Sequence, residues 1–269
     1  MVLRLHHSIF SASSQKVTLA LAEKGLAWES VAVDLAGGEQ HSQAYRALNP
    51  RGVVPTLVHD GAVLIESSTI LEYLDDVYPE PPLRPADPVS RQRMRAWVRK
   101  IDDVHHPANA MIHYSLTRPQ PPAAPEKLEA MLAAMTNPRD KALRSAAWRQ
   151  GVDAPEFAEA VRTQEQMLDA IEEALAASPF LAGDDVSHAD LATLPYVARL
   201  DQLGLGSMIE AGGRERLGAW LARMQSRPSW GQTIGALPAS VIGRWQALGW
   251  QAWPEIVRHL RRPPANVAG

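Results

Sequence analysis

The chain of 269 residues contains no cysteine. That excludes disulfides, thiolate metal sites and any cysteine nucleophile of its own. Long apolar runs are also missing: no stretch approaches the roughly 18 residues that a membrane helix needs, so no membrane partner is expected. The opening MVLRLHHSIF lacks the extended apolar core of a secretory leader and reads as a strand. Net charge is only −3, with 27 Lys and Arg interleaved with 30 Asp and Glu, so electrostatics favours neither nucleic acid nor an anionic surface. The nine histidines include no HExxH or comparable spacing, and no metal is expected. What remains is a cytoplasmic protein large enough for two modest domains.

The most informative stretch runs from Asn49 to Tyr73. Asn49-Pro50-Arg51-Gly52 is a loop signal, and Thr56-Leu57-Val58 a short strand. Asp60-Gly61 is a hairpin turn, and Val63-Leu64-Ile65 the return strand. Glu66-Ser67-Ser68 then opens an amphipathic helix. Pro55 lacks a ladder donor and belongs at an edge or a special turn. Upstream, Val2–His6 alternates as a half-buried strand, Ser8–Ser14 is a small polar loop, and Gln15–Lys24 reads as a helix. Trp28–Val33 is a second strand, parallel to the first, and residues 43–48 form a short helix. The order βαβ, α, ββα makes an α/β domain over residues 1–80.

Pro79 to Pro85 is proline-dense and marks a linker at 81–88, with Asp87-Pro88 opening a helix that runs to about Tyr114. Residues 89–269 read as helices only. Arg118–Pro125 is a proline-rich break, followed by a weak helix near Glu126–Met135. A convincing amphipathic helix spans Glu156–Ala176, and Ser187-His188-Ala189-Asp190 has the spacing of a capping box. A further helix covers Arg214–Met224 and ends at Arg227-Pro228. The Trp245, Trp250 and Trp253 tail packs onto the body.

Val54-Pro55 followed by Glu66-Ser67 resembles the glutathione-binding half of the glutathione S-transferase superfamily. The resemblance implies a thioredoxin-like N-terminal domain followed by an all-helical C-terminal domain that forms the electrophile pocket. Glu39-Gln40-His41-Ser42, Asn49-Pro50-Arg51-Gly52 and Leu83-Arg84-Pro85-Ala86-Asp87-Pro88 narrow it to the bacterial lignin β-aryl etherases, over about the first hundred residues. It implies glutathione as co-substrate, a small aromatic electrophile, a homodimer, and a cis bond before Pro55. The Val54 backbone would pair with the cysteinyl unit, and Glu66 and Ser67 would hold the γ-glutamyl end. Relatives commonly carry a polar residue where this chain has Val53; His41 and Arg51 are placed to compensate.

A thiol of pKa near 8.5 is only about 3% ionised at pH 7, and lowering it by about two units requires about 2.7 kcal/mol of differential stabilisation. A hydroxyl at a helix N-terminus supplies part of this. Ser14, immediately before the helix expected at Gln15, is the first choice, with Ser13 and Ser11 as alternates; the competing role for Ser14 is simply to cap the helix. Glu66 is otherwise an ordinary carboxylate near a helix start. His106, Asn109 and His113 share a helix that lines the electrophile pocket in relatives. They are placed either to polarise a substrate oxygen or to face solvent. Arg91, Arg95 and Arg99 face Glu72, Asp75 and Asp76 on the preceding helix, as two solvated faces or as a dimer contact.

The reaction implied is attack of a glutathione thiolate on the carbon β to an aryl ketone, expelling a phenolate. The competing activities are general conjugation, dehalogenation, isomerisation, peroxide reduction, and non-catalytic binding of glutathione or hydrophobic ligands.

Overall fold

The computed structural model describes residues 2–117, 125–210 and 213–263. The alternating N-terminus forms β1 (Leu3–His7), with Leu3, Leu5 and His7 buried and Arg4 outward. Helix α1 (Ala12–Glu23) carries the chain to β2 (Glu29–Ala32), which pairs parallel to β1. Ser42 caps α2 (Gln43–Leu48) by accepting the Tyr45 N–H at 3.2 Å. Strands β3 (Thr56–His59) and β4 (Ala62–Leu64) meet at Asp60-Gly61, whose φ values of 46° and 89° are those a tight hairpin turn requires. Helix α3 (Ser67–Val77) follows. The sheet order is β2-β1-β3-β4, with β3 antiparallel to both neighbours, which is the thioredoxin-like arrangement.

Helix α1 begins at Ala12, three residues before the expected Gln15. Ser11 supplies the cap, its hydroxyl accepting the Ser14 N–H at 3.2 Å. Ser14 is therefore inside the first turn and 0% exposed, and its Oγ accepts the Ser8 N–H at 3.4 Å.

Asp87 caps α4 (Pro88–Lys100) through the Ser90 N–H at 2.7 Å. The helix expected to run unbroken to about Tyr114 is interrupted by a π-helical turn at Ile101–His105, after which α5 (His106–Thr117) continues. Most of the expected break at Arg118–Pro125 lies outside the described residues. Helix α6 (Pro125–Ala134) matches the weak helix read there. Helix α7 (Pro138–Gln150) escaped the sequence reading, although Asn137 caps it by accepting the Arg139 N–H at 2.9 Å. Its arginines and small residues give no apolar stripe to read.

Helices α8 (Pro155–Ala174) and α9 (His188–Gln202) form the centre of the helical half. Ser187 and Asp190 make the expected capping box, and the buried Asp190 carboxylate also accepts from the Leu181 N–H at 3.0 Å and Trp220 Nε1–H at 2.9 Å. Three helices follow: α10 (Gly206–Glu210), α11 (Glu215–Gln225) and α12 (Pro228–Gln232). Helix α11 ends just before Arg227-Pro228, as expected, with Arg227 extended, and Pro228 then occupies the first position of a new helix, where its missing N–H costs no bond. The Trp-rich tail is α13 (Ala239–Val257), with Trp245 buried in the body and Trp250 exposed.

A buried charge cluster ties the halves together. Lys24 at the end of α1 is ion-paired with Asp75 of α3 and donates to the carbonyls of Tyr78 at 2.7 Å and Pro81 at 2.8 Å. Asp75 in turn meets His188 Nε2 of α9 at 3.3 Å and the Leu83 N–H at 3.2 Å. The charged faces of α3 and α4 are largely satisfied within the chain, by Arg95–Glu72 at 3.4 Å, Arg84–Asp76 at 2.6 Å and Arg99–Asp103 at 3.1 Å. Among the described residues no helix is long and apolar enough to cross a membrane.

Candidate active site

A cavity of about 1510 Å³ lies between the sheet domain and the helices. Its sheet-side wall includes Arg51–Pro55, Glu66 and Ser67 from the Asn49–Ser67 stretch, with the loop after β1 and residues 39–41. The Val54-Pro55 peptide is cis. The loop before it is braced by Tyr45, whose phenol donates to the Val53 carbonyl at 2.9 Å and meets Thr56 Oγ1 at 3.0 Å. Asn49 Nδ2 donates to the same carbonyl at 2.8 Å, and Asn49 Oδ1 accepts the Arg51 N–H at 3.1 Å. Neither Tyr45 nor Asn49 was read as a site residue, though an Asn-Pro turn leading into a strand signals such a brace. Gly52 takes φ +63°, and a Cβ there would stand 2.9 Å from His41 Nδ1, so the loop backbone sits directly on His41.

Glu66 adopts φ 68°, ψ 104°, a region costly for a side chain bearing Cβ. This conformation turns the chain from β4 into α3 and places Glu66 and Ser67 together on the cavity wall. Arg51 is ion-paired with Glu66 across the rim, both about half exposed. His41, Arg51, Val54, Pro55, Glu66 and Ser67 all line this one cavity.

The N-terminus of α1 faces them. Ser11 and Ser13 line the cavity; Ser14 does not, being sealed under the first turn. The position immediately before the helix, where a donor meets the free N–H groups and the positive end of the dipole, is thus Ser11. Its oxygen already accepts a bond from the backbone, which leaves its O–H to donate.

The helical wall centres on Tyr196 of α9. His106 Nδ1 lies 3.0 Å from its phenol oxygen, and Asn109 Nδ2 donates to its carbonyl at 3.2 Å. The Ser13 and Lys16 side chains face the same phenol, and burial pushes its pKa up. Lys16 is wholly buried, ion-paired with Asp102 in the π-helical turn; burial alone would lower its pKa, but Tyr196 and Asp102 hold it above the usual lysine value. The π turn thereby places Asp102 toward α1 and His106 toward Tyr196. His106 is brought down to about 4, by the surrounding protein and then by Lys16, so it is neutral at physiological pH. His113 completes the row, its ring 4.9 Å from Trp245 and its Nδ1 3.4 Å from Arg199 Nη1. Tyr196 and Arg199 were missed, although a tyrosine and an arginine within LPYVARL, directly after a capping box, stand out in a core helix. Among the described residues no three His, Cys, Asp or Glu side chains converge as a cation cage.

The N-terminal domain of glutathione S-transferase matches residues 5–82, and its C-terminal domain matches residues 154–223. Protein LigF of Sphingobium sp. strain SYK-6 is 32% identical over 85% of this chain and 91% of its own length. Glutathione S-transferase F9 of Arabidopsis thaliana is 31% identical over 87% of this chain and 97% of its own length. The crystal structure of the β-etherase LigF superposes with a TM-score of 0.79, covering 88% of this chain and all of that one. With both of its domains matched and relatives of this similarity spanning most of its length, the chain belongs to the glutathione S-transferase family.

Proposed function

We propose that the chain is a glutathione-dependent β-etherase acting on aryl ketones of the kind derived from lignin. The observation that carries this is one cavity shared by the Ser11 end of α1, the cis Val54-Pro55 turn, the Glu66-Ser67 pair and an aromatic wall of Tyr196, Tyr114 and Trp245. The donor set fits glutathione. Glu66 takes the ammonium in place of Arg51, Ser67 donates to the γ-glutamyl carboxylate, the Val54 backbone pairs with the cysteinyl unit, and His41 and Arg51 serve the glycyl end. Ser11 donates to the thiolate, taking the role first assigned to Ser14. The thiolate attacks the ether-bearing β carbon of the side chain, the one bonded to the ketone carbonyl; a C–S bond forms, the C–O ether bond breaks, and the phenolate leaves with the bonding pair. His106 and Asn109, with Tyr196, hold the face of the cavity on which the ketone and leaving oxygens lie. LigF, a β-etherase of similar length and fold, supports the choice of reaction.

The test is incubation with glutathione and an aryl-ketone β-aryl ether, following phenol release by chromatography. Release that requires glutathione and falls in Ser11→Ala supports both the reaction and the residue. Glutathione binding without release removes the etherase assignment.

The protein is also proposed to act as a homodimer across α3 and α4. Because the charges there pair within the chain, apolar contact through Val77 and Val89, both exposed, carries the association. Light scattering then gives a dimer mass at both low and high salt; a monomer at either overturns this.

A further inference from the structure

Arg199 is a buried charge that the thiol chemistry leaves unused. It sits on α9 at 3% exposure and lines the cavity. None of its bonds goes to a carboxylate: Nη2 donates to the Phe10 carbonyl at 2.9 Å and Nε to Gln202 Oε1 at 3.0 Å, while Nη1 lies 3.4 Å from His113 Nδ1. The Trp245 ring lies 4.9 Å from its guanidinium. Burial brings its pKa to about 10, which leaves it cationic at neutral pH. Among the described residues no carboxylate stands within ion-pair distance of it, and a desolvated cation without a counter-charge is strongly disfavoured.

Two further guanidiniums line the same cavity nearer to solvent, Arg144 half-buried and Arg244 exposed. Arg144 of α7 lies 4.6 Å from the Tyr114 ring centroid, and Arg244 of α13 immediately precedes Trp245. Asp140, one turn before Arg144 and also on the wall, makes no ion pair with it. The Tyr114 and His113 rings touch at 5.3 Å, so Arg144 and Arg199 flank a single aromatic corner. Planar donors beside stacked rings match a flat ring that bears a planar anion.

We infer that the electrophile bound here is an aromatic carboxylate, its carboxylate received by Arg199 and attracted from the rim by Arg144 and Arg244. The ring rests against Tyr114 and Trp245. The assignment rests on the proposed function only in giving this wall to the second substrate. An uncharged aryl ether leaves the buried Arg199 without a counter-charge, so the carboxylated members of that substrate class are the preferred ones.

The probe pair is 2-naphthoate and its methyl ester, titrated calorimetrically into glutathione-saturated protein. The acid is expected to bind about tenfold more tightly than the ester, the scale of one charge-assisted bond. Arg199→Met removes the preference and Arg199→Lys retains part of it, which a purely structural brace on the Phe10 loop would not do. Should Arg199→Met fail to fold by circular dichroism, the Arg144→Gln, Arg244→Gln double variant weakens the preference without disturbing the core. Equal affinity for acid and ester in the wild type, or an unchanged preference in folded Arg199→Met, overturns the inference. Glutathione is titrated first: no binding there overturns the thiolate reading, while the acid–ester comparison stays measurable on the free protein.

Discussion

In the proposed site, one turn of helix decides which of three neighbouring serines can reach a bound thiol. Ser11, Ser13 and Ser14 are chemically equivalent in sequence, and only the start of α1 distinguishes them. Ser11 has its lone pair engaged by the Ser14 N–H and its proton available to the cavity. Ser14 has neither route, because its oxygen turns inward to the Ser8 N–H. A hydroxyl donating to a charged sulfur contributes about 1.5–3 kcal/mol, so Ser11→Ala should lower kcat by about 10- to 100-fold. It should also raise the pKa of the bound thiol, readable as thiolate absorbance against pH. Ser14→Ala should leave that pKa unmoved and instead reduce thermal stability by about 1 kcal/mol through the orphaned Ser8 N–H. If Ser14→Ala shifts the thiol pKa and Ser11→Ala does not, the assignment is reversed.

At the scale of elements, what could be read from sequence follows the strength of the local signal. The hairpin, the Asp87-Pro88 start and the Ser187–Asp190 box were legible because each is a short-range motif whose bonds lie within a few residues. The start of α1 was not, since three serines in SASS each satisfy a cap and only packing chooses among them. The π turn was invisible because it preserves the helical pattern on both sides while inserting one residue's rotation. Helix α7 lacked an apolar stripe, and so the arginine it contributes to the cavity, Arg144, was unread. Long-range pairs had no local signal at all: Lys24, Asp75 and His188 are 51 and 113 residues apart in turn, yet they form the joint between α1, α3 and α9. Burial alone would push the Asp75 carboxyl up, but His188, Lys24 and the Leu83 N–H hold it below the usual range. Asp75→Ala would leave Lys24 buried without its counter-charge, and a loss of about 3–5 kcal/mol in urea unfolding is expected. Asp75→Asn, which keeps the shape but loses the charge, should fall between. A loss under 1 kcal/mol for the alanine variant would show that the joint is held by packing alone.

For the whole molecule, the histidines make stability sensitive to mild acid. His105, 1% exposed at the end of the π turn, has neither ring nitrogen hydrogen-bonded among the described residues. Burial, with a smaller push from Lys100, brings its pKa down to about 4. His6, His7 and His41 are lowered too, in each case chiefly by burial. In the unfolded chain these groups titrate near their ordinary 6.5, so between about pH 6.5 and 4 the unfolded state binds protons that the folded state refuses, and stability falls as pH drops. For His105 the difference amounts to about 2 kcal/mol at pH 5. Asp75 adds to the loss at lower pH, as its depressed carboxyl is finally protonated. The urea midpoint should therefore be lower at pH 5 than at pH 7, and His105→Leu should flatten that difference by roughly the His105 share, since leucine fills much of the same buried space without a proton to bind. A midpoint that does not change between pH 7 and pH 5 would mean that His105 is protonated in the fold, with water or an acceptor reaching its ring.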